Sequence, residues 1–265
     1  MELSVRLQTV AGAVTPGHRI ADVGTDHGYV PIYLVKNHIC PEAVAMDINS
    51  GPLDRAKEHI KMEGLEDKIH IRQSDGLLGL SPREADTVVI AGMGGDLICR
   101  ILKAAPDFLA AGKEFVLQPQ SEWFKVRHFI CEHNYLIEKE WFLKEDGRYY
   151  VVIRAVPAHT CEGTEQSGQR TCTGLLPEKD PHYFCPDASD LDEEVIFRYG
   201  WYLLRESDPV LLEYLKQEYR KKKKILQEMD RQGRTGLARY KELKKEIEDI
   251  DNITKIYYRV NIFTG

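Results

Sequence analysis

The chain has 265 residues, 43% of them hydrophobic and 29% charged, with a formal net charge of −6. That composition supplies one sizeable core plus an appendage, and its acidic balance excludes a wholly basic nucleic-acid coat while allowing a local basic patch. No run approaches the roughly 18 apolar residues that span a bilayer, and the N-terminus lacks the charged and apolar regions of a signal peptide, so a cytoplasmic protein without membrane association is expected.

Leu3, Leu7 and Val10 share one face of a short amphipathic N-terminal helix, with Arg6 beside them. Ile20-Ala21-Asp22-Val23 reads as the end of a buried strand. Gly24 then permits a tight turn, and Gly28 lets a helix over Tyr29–His38 start close to the sheet. Ala43–Met46 is a second strand ending at Asp47, followed by a helix with Pro52 near its start that runs to about Gly64. Lys68–Arg72 alternates as a third strand and ends at Ser74-Asp75-Gly76. Thr87–Ala91 is continuously apolar, hence a strand buried on both faces, and Gly92-Met93-Gly94-Gly95 leads from it into a helix over Asp96–Ala105. Glu114–Leu117 is a fifth strand closing at Gln118-Pro119, after which Ser121 is expected to cap a helix carrying Lys125 and Arg127.

Leu136–Leu143 and Tyr149–Val156 then read as two strands joined by Lys144–Arg148, where Asp146-Gly147 signals a hairpin. Five β-α units followed by a hairpin predict a doubly wound α/β sheet with an antiparallel edge. Pro157–Ser189 shows no period and reads as an insertion or linker, and the apolar-aromatic segment Glu193–Arg205 is expected to pack back on the sheet. Asp208 caps a long helix with Pro209 in its first turn. Leu211, Leu212, Leu215, Tyr219, Ile225, Leu226 and Met229 form its apolar stripe. Gly233 and Gly236 break it, and Leu237, Tyr240, Leu243, Ile247 and Ile250 stripe a second helix, giving an antiparallel, coiled-coil-like hairpin. Ile256–Phe263 has strand-like composition. The expected division is 1–156 for the sheet domain, 157–207 for the insertion and 208–265 for the helical domain.

A glycine loop after the first strand serves both dinucleotides and S-adenosylmethionine. Here the place between Gly24 and Gly28 that should be small and neutral holds Asp26, which repels a diphosphate but suits a ligand with an ammonium and a sulfonium. Asp47 ends strand two where an acid takes ribose hydroxyls, and Asp75 ends strand three beside Gly76, near an adenine edge. Acids ending each of the first three strands point to S-adenosylmethionine; the alternative is that Asp47 and Asp75 cap helices.

The stretches SVRLQTVA (Ser4–Ala11), DVGTDHGYVP (Asp22–Pro31), MDI (Met46–Ile48), QSDGL (Gln73–Leu77), AGMGG (Ala91–Gly95) and LQP (Leu117–Pro119) resemble the bacterial tRNA (adenine-22, N1)-methyltransferases, in order, from about Ser4 to Val156. The resemblance implies a Rossmann-like methyltransferase sheet with a C-terminal helical domain, and methyl transfer from S-adenosylmethionine to N1 of a tRNA adenine. Carried over, it implies a cofactor site of Arg6, Gly24, Asp26, His27, Asp47, Asp75, Gly76, Gly92, Met93 and Gly94, and Asp22, Gly28 and Ile48 complete the expected set. The 157–189 segment is expanded relative to the family.

N1 of an unpaired adenine has a free lone pair, so rate is expected to come from alignment. Methylation of an exocyclic amine often uses Asn-Pro-Pro-aromatic after strand four; Ala91-Gly92-Met93-Gly94-Gly95 stands there instead, which fits a ring nitrogen. Asp26 is the candidate to stabilise the product charge or take an N6 proton, although binding the cofactor ammonium competes for it. Tyr29 is a candidate to stack on the base or else packs under the loop, His27 is alternatively a structural hydrogen-bonder, and Gln118 either reads a Watson–Crick edge or is a satisfied turn residue. Lys221, Lys222, Lys223 and Lys224, after Arg220, are either a solvated helix face or a tRNA phosphate contact, with Lys241, Lys244 and Lys245 able to extend the patch. Cys161, Cys172, Cys185, His159 and His182 lack a paired C-x2-C arrangement, so no metal is expected. No obligatory protein partner is evident. Other acceptors, or RNA binding without catalysis, remain as alternatives, whereas a dinucleotide oxidoreductase is disfavoured by Asp26.

Overall fold

Five short segments, joined by helices except for the loop between the third and the fourth, pair side by side as parallel strands. They are β1 (Ile20–Val23), β2 (Ala43–Asp47), β3 (Ile69–Gln73), β4 (Thr87–Met93) and β5 (Glu114–Pro119). The computed structural model describes residues 2–158 and 192–260. Two longer strands, β6 (Tyr135–Glu145) and β7 (Arg148–Pro157), complete a seven-stranded sheet in the order β3-β2-β1-β4-β5-β7-β6, with β7 antiparallel to β5. Helices α1 (Val5–Gly12), α2 (Tyr29–Lys36), α3 (Ser50–Met62), α4 (Gly95–Lys103), α5 (Pro106–Ala110) and α6 (Trp123–Glu132) accompany it. The central strands are buried along their length because helices cover both faces. The chain winds outward from β1 through β2 to β3, then returns to β1's other side with β4. The crevice between the carboxyl ends of β1 and β4 is therefore the topological switch point.

Buried polar groups tie the opposite, amino ends of the strands together. The Glu114 carboxylate accepts from the Thr15 and Thr87 hydroxyls, the Thr15 backbone N–H and Arg154 Nε. Asp86 accepts from the Arg19 backbone N–H and from Nε and Nη2, which draws its carboxyl down to about 2. Arg127 of α6 is fully buried, its Nε donating to Glu140 of β6 at 2.7 Å.

Three local expectations change. The hairpin loop shrinks from five residues to Asp146-Gly147, both with positive φ (49° and 74°), the primed-turn geometry that matches strand twist. Ser121 does not cap α6: Glu122 is the N-cap in the left-handed region, and the Ser121 hydroxyl donates to the Glu122 carboxylate. The chain also divides differently. One compact unit takes residues up to Trp141 and the rest of β7 from Tyr150; the other takes Phe142–Tyr149 and the described chain from 192 onward.

In that second unit, α7 (Glu193–Tyr199) and α8 (Trp201–Arg205) join the two long helices α9 (Pro209–Arg231) and α10 (Ala238–Tyr258), so Glu193–Arg205 does not belong to the sheet unit. Lys245 reaches Asp192, the Ser207 hydroxyl donates to the Tyr257 carbonyl and the Tyr258 hydroxyl to the Asp208 carbonyl. Asp208 caps α9 as expected, accepting from Val210 and Leu211 N–H. The stripe is buried at Leu211, Leu215, Tyr219, Leu243 and Ile250, but Ile225 and Leu237, nearer the turn, are exposed. Ile256–Tyr258, expected to be extended, are the last turn of α10, where buried Ile253 and Thr254 hold the helix; Arg259 ends it in the left-handed region, and residues 261–263 lie outside the described residues. Among the described residues no helix is long and apolar enough to cross a membrane. The cysteines and histidines between 159 and 185 also lie outside the described residues.

Candidate active site

A cleft of about 380 Å³ opens at the switch point. Arg6 and Leu7 of α1, Asp22, Gly24, Asp26 and His27 around the first loop, Tyr29 and Val30 of α2, Asp47 of β2, Ala91, Gly92 and Met93 of β4, and Gln120 beyond β5 line it. Its size suits a small organic ligand.

The two acids of the first loop have opposite surroundings. Asp22 is 6% exposed, and burial pushes its carboxyl up to about 6. Among the described residues it forms no ion pair. Asp26 is 67% exposed and already engaged, accepting from Arg55 Nη2 at 2.9 Å with His27 Nε2 3.4 Å away. Of the two acids, the buried one without an ion pair is thus Asp22, at the end of β1, and not the exposed Asp26 that sequence reasoning favoured. Asp47 accepts the Asn49 N–H on Oδ1 at 2.7 Å.

Backbone constraints shape the rest. Gly24 has φ +78°, and a Cβ there would lie 2.0 Å from Met93 Cε, so the Met93 methyl rests against bare main chain. The β4–β5 pairing steps from Ala91↔Gln118 to Met93↔Pro119, leaving Gly92 as one extra residue, at φ +81°. This bulge re-aims Met93 into the cleft. Its free N–H is taken by Gln118, whose Oε1 accepts from Gly92 N at 3.1 Å and from Arg6 Nη1 at 2.7 Å, while Nε2 donates to the Pro119 carbonyl at 3.2 Å. Gln118 is fully buried and its amide is engaged at both ends, so it does not present an edge to a base. It holds Arg6 and the bulge together.

His27, Tyr29 and His59 form a cluster of near-parallel rings with centroids 5.1 to 5.4 Å apart, and His59 Nδ1 lies 2.9 Å from the His27 carbonyl oxygen. Tyr29 both lines the cleft and packs against the rings of His27 and His59. Gly28, Ile48, Asp75, Gly76 and Gly94 do not line the cleft. Gly28 starts α2 close to Ala56 of α3, and Gly76 lies where a Cβ would press on Ile101 at 2.9 Å. Asp75 is exposed, and Ile48 is 55% exposed with its carbonyl accepting from Gln73 Nε2. Gly94 is the N-cap of α4.

Residues 3–153 match the methyltransferase domain family. The chain is 41% identical over 155 residues to the tRNA (adenine(22)-N(1))-methyltransferase of Bacillus subtilis (strain 168), an alignment covering 58% of this chain and 65% of that relative, just under two thirds of its length. The solved structure of the B. subtilis m1A22 tRNA methyltransferase TrmK matches with a TM-score of 0.75 and 31% identity over 95% of this chain and 98% of that one. The chain belongs to the tRNA (adenine-22, N1)-methyltransferase family. M. capricolum TrmK, solved in complex with S-adenosyl-homocysteine, matches with a TM-score of 0.75 and 27% identity over 97% of this chain and 100% of that one.

This family member has a Rossmann-like sheet with a helical C-terminal region. Sequence reasoning missed four residues lining its cleft: Leu7, Val30, Ala91 and Gln120. The first three carry only the apolar signal of ordinary core residues. Gln120 was detectable as the neighbour, two positions on, of the glutamine chosen in its place. In the helical unit the lysine run is unequal: Lys222 Nζ bridges Glu218 and Glu246 at 3.1 and 2.7 Å, Lys221 lies 3.5 Å from Glu218, Lys223 sits over the Tyr219 ring, and Lys224 is exposed.

Proposed function

We propose that the protein transfers a methyl group from S-adenosylmethionine to N1 of adenine 22 of tRNA. One observation carries this: a buried carboxylate without an ion pair, Asp22, at the switch point of a cleft whose rim also bears Asp47. Such a site favours a cationic ligand and repels a diphosphate. The donor set fits the cofactor: Asp22 suits its ammonium, Arg6 its carboxylate, Asp47 its ribose hydroxyls, and the bare main chain of Gly24 allows close approach. When bound, the cofactor supplies a methyl carbon whose bond to sulfur breaks as its bond to N1 forms, the positive charge passing from sulfur to the ring.

The residues of the chain then have three tasks. N1 brings its own lone pair, so no base is needed to start the reaction, and alignment is the principal contribution. The Gly92 bulge, locked by Gln118, and the Met93 methyl against Gly24 shape the wall against which a base is positioned. The rim carboxylates Asp22, Asp26 and Asp47 stabilise the cationic ring that results; Asp26, held by Arg55 at the lip, serves through its charge and not through proton transfer. Tyr29, with its ring at the cleft, offers a stacking surface. Lys223 and Lys224 on α9 supply phosphate contacts for tRNA.

The test is methylation of tRNA in vitro with labelled S-adenosylmethionine, followed by mapping of the modified base. Label on N1 of adenine 22 is the expected result; label on another position, or none in tRNA, overturns the assignment.

A further inference from the structure

Gln120 sits in the cleft with no task in the scheme above. It follows β5 directly, its side chain is exposed, and its backbone N–H donates to the Met93 carbonyl at 2.8 Å. That bond fixes the Gln120 main chain to the bulge, which Gln118 in turn fixes to Arg6. The Gln120 amide also lies over the bulge, with Nε2 3.8 Å from where a Gly92 Cβ would stand. An uncharged amide with donor and acceptor side by side is therefore presented at the cleft from a rigid base, next to Met93. Gln118 and Gln120, two apart at the end of one strand, divide their work: the inner amide is spent on the frame and the outer one faces the ligand.

We infer that Gln120 reads the target adenine along its N6–N7 edge, its Oε1 accepting from the N6 amino group and its Nε2 donating to N7. The inference rests on the proposed adenine chemistry. N1 must stay open to attack, so a reading group is confined to the other edge, where adenine offers an acceptor at N7 and a donor at N6. A glutamine amide matches that pair in a bidentate fashion. Guanine offers two acceptors there and leaves Oε1 facing O6. The contact to N6 also strengthens as the ring becomes cationic, because the amino protons grow more acidic. The effect therefore belongs to the rate of methyl transfer more than to binding.

The experiment is single-turnover methylation of full-length tRNA carrying adenosine or 7-deazaadenosine at position 22, with the intact protein and its Gln120→Ala and Gln120→Glu variants. Gln120→Ala is expected to slow transfer about tenfold to a hundredfold, the range of one bidentate base contact, with S-adenosylmethionine affinity by calorimetry unchanged within about twofold. Replacing N7 by carbon should slow the unaltered protein but leave Gln120→Ala no slower than it already is. Gln120→Glu keeps the acceptor for N6 but sets its second carboxylate oxygen against the N7 lone pair, so the 7-deaza change should speed this variant where it slows the unaltered protein. Equal rates for Gln120→Ala and the unaltered protein, or the same 7-deaza penalty in both, would overturn the role of Gln120 alone. An unaltered protein that methylates no tRNA adenine would overturn the proposed function and this inference together.

Discussion

The rim of the sheet and the helical hairpin handle charge in opposite ways. On the hairpin, acids and bases neutralise each other: Lys222 lies between Glu218 and Glu246, Arg239 reaches Glu242 and Glu246, and Lys245 reaches Asp192. The exposed pairs among these contribute about 0.2–1 kcal/mol each, and all of them spend their charge within the helical unit rather than on a ligand. At the rim Asp22 is buried without an ion pair among the described residues, and its carboxyl is driven up to about 6. A fold tolerates that cost where a ligand offsets it. Uncompensated buried charge marks the site.

The largest expected effect comes from removing that charge. Asp22→Asn should weaken S-adenosylmethionine binding by tenfold to a hundredfold or more, the scale of about 1.5–3 kcal/mol for a charged hydrogen bond, read by calorimetric titration. It should also stabilise the ligand-free protein at neutral pH. A carboxyl raised from 3.8 to about 6 penalises the folded state by about 3 kcal/mol above that range. The sign follows from linkage. Because the folded value lies above the unfolded one, the contribution of Asp22 to stability is full below 3.8 and is lost as pH rises through about 6. The difference in melting temperature between Asp22→Asn and the unaltered protein should therefore grow from pH 4 to pH 7. Parallel melting curves across that window would erase the contrast between rim and hairpin.

Asp47→Ala sharpens the same point at a less buried acid: S-adenosylmethionine affinity should fall at least about tenfold, on the scale of a lost hydrogen bond to a charged group, with the far-ultraviolet spectrum intact. Unchanged affinity would remove Asp47 from the site. Gly24→Ala is expected to cost about 1–2 kcal/mol for the left-handed backbone, plus the clash with Met93 Cε. Adding Met93→Ala should recover only the second part, as denaturant melts would show. The smallest effects belong to the hairpin. Lys224→Gln should flatten the salt dependence of tRNA binding by at most about 0.9 in log–log slope and leave S-adenosylmethionine affinity alone. An unchanged slope would remove Lys224 from the tRNA contacts.

Much of the fold was readable from local pattern. The strands β1 to β5 are short and either apolar or, in β3, alternating, and the hairpin turn is written in Asp146-Gly147. At the site, Asp22, Gly24, Asp47, Gly92 and Met93 line the cleft because a strand's carboxyl end delivers its next residues to the switch point whatever the details. The glutamines escaped this reasoning. Residues 118 and 120 share a parity, so alternation cannot separate them; only Arg6 arriving from α1 and the unpaired N–H of the Gly92 bulge consume the first and leave the second. Asp26 and Asp75 show a related limit: loop composition says that an acid is present, not which way the loop turns it, and the structure sets Asp26 at the cleft beside Arg55 and leaves Asp75 exposed outside it.

The sequence by itself determined the order of elements, the switch point and the acidic character of its rim, because periodicity and turn chemistry act over a few neighbouring residues. Only the tertiary structure decided which acid is buried and which glutamine is left open to the cleft. Burial and hydrogen-bond saturation depend on groups distant in the chain: Arg6 lies 112 residues from the Gln118 it engages, and no local pattern encodes that meeting.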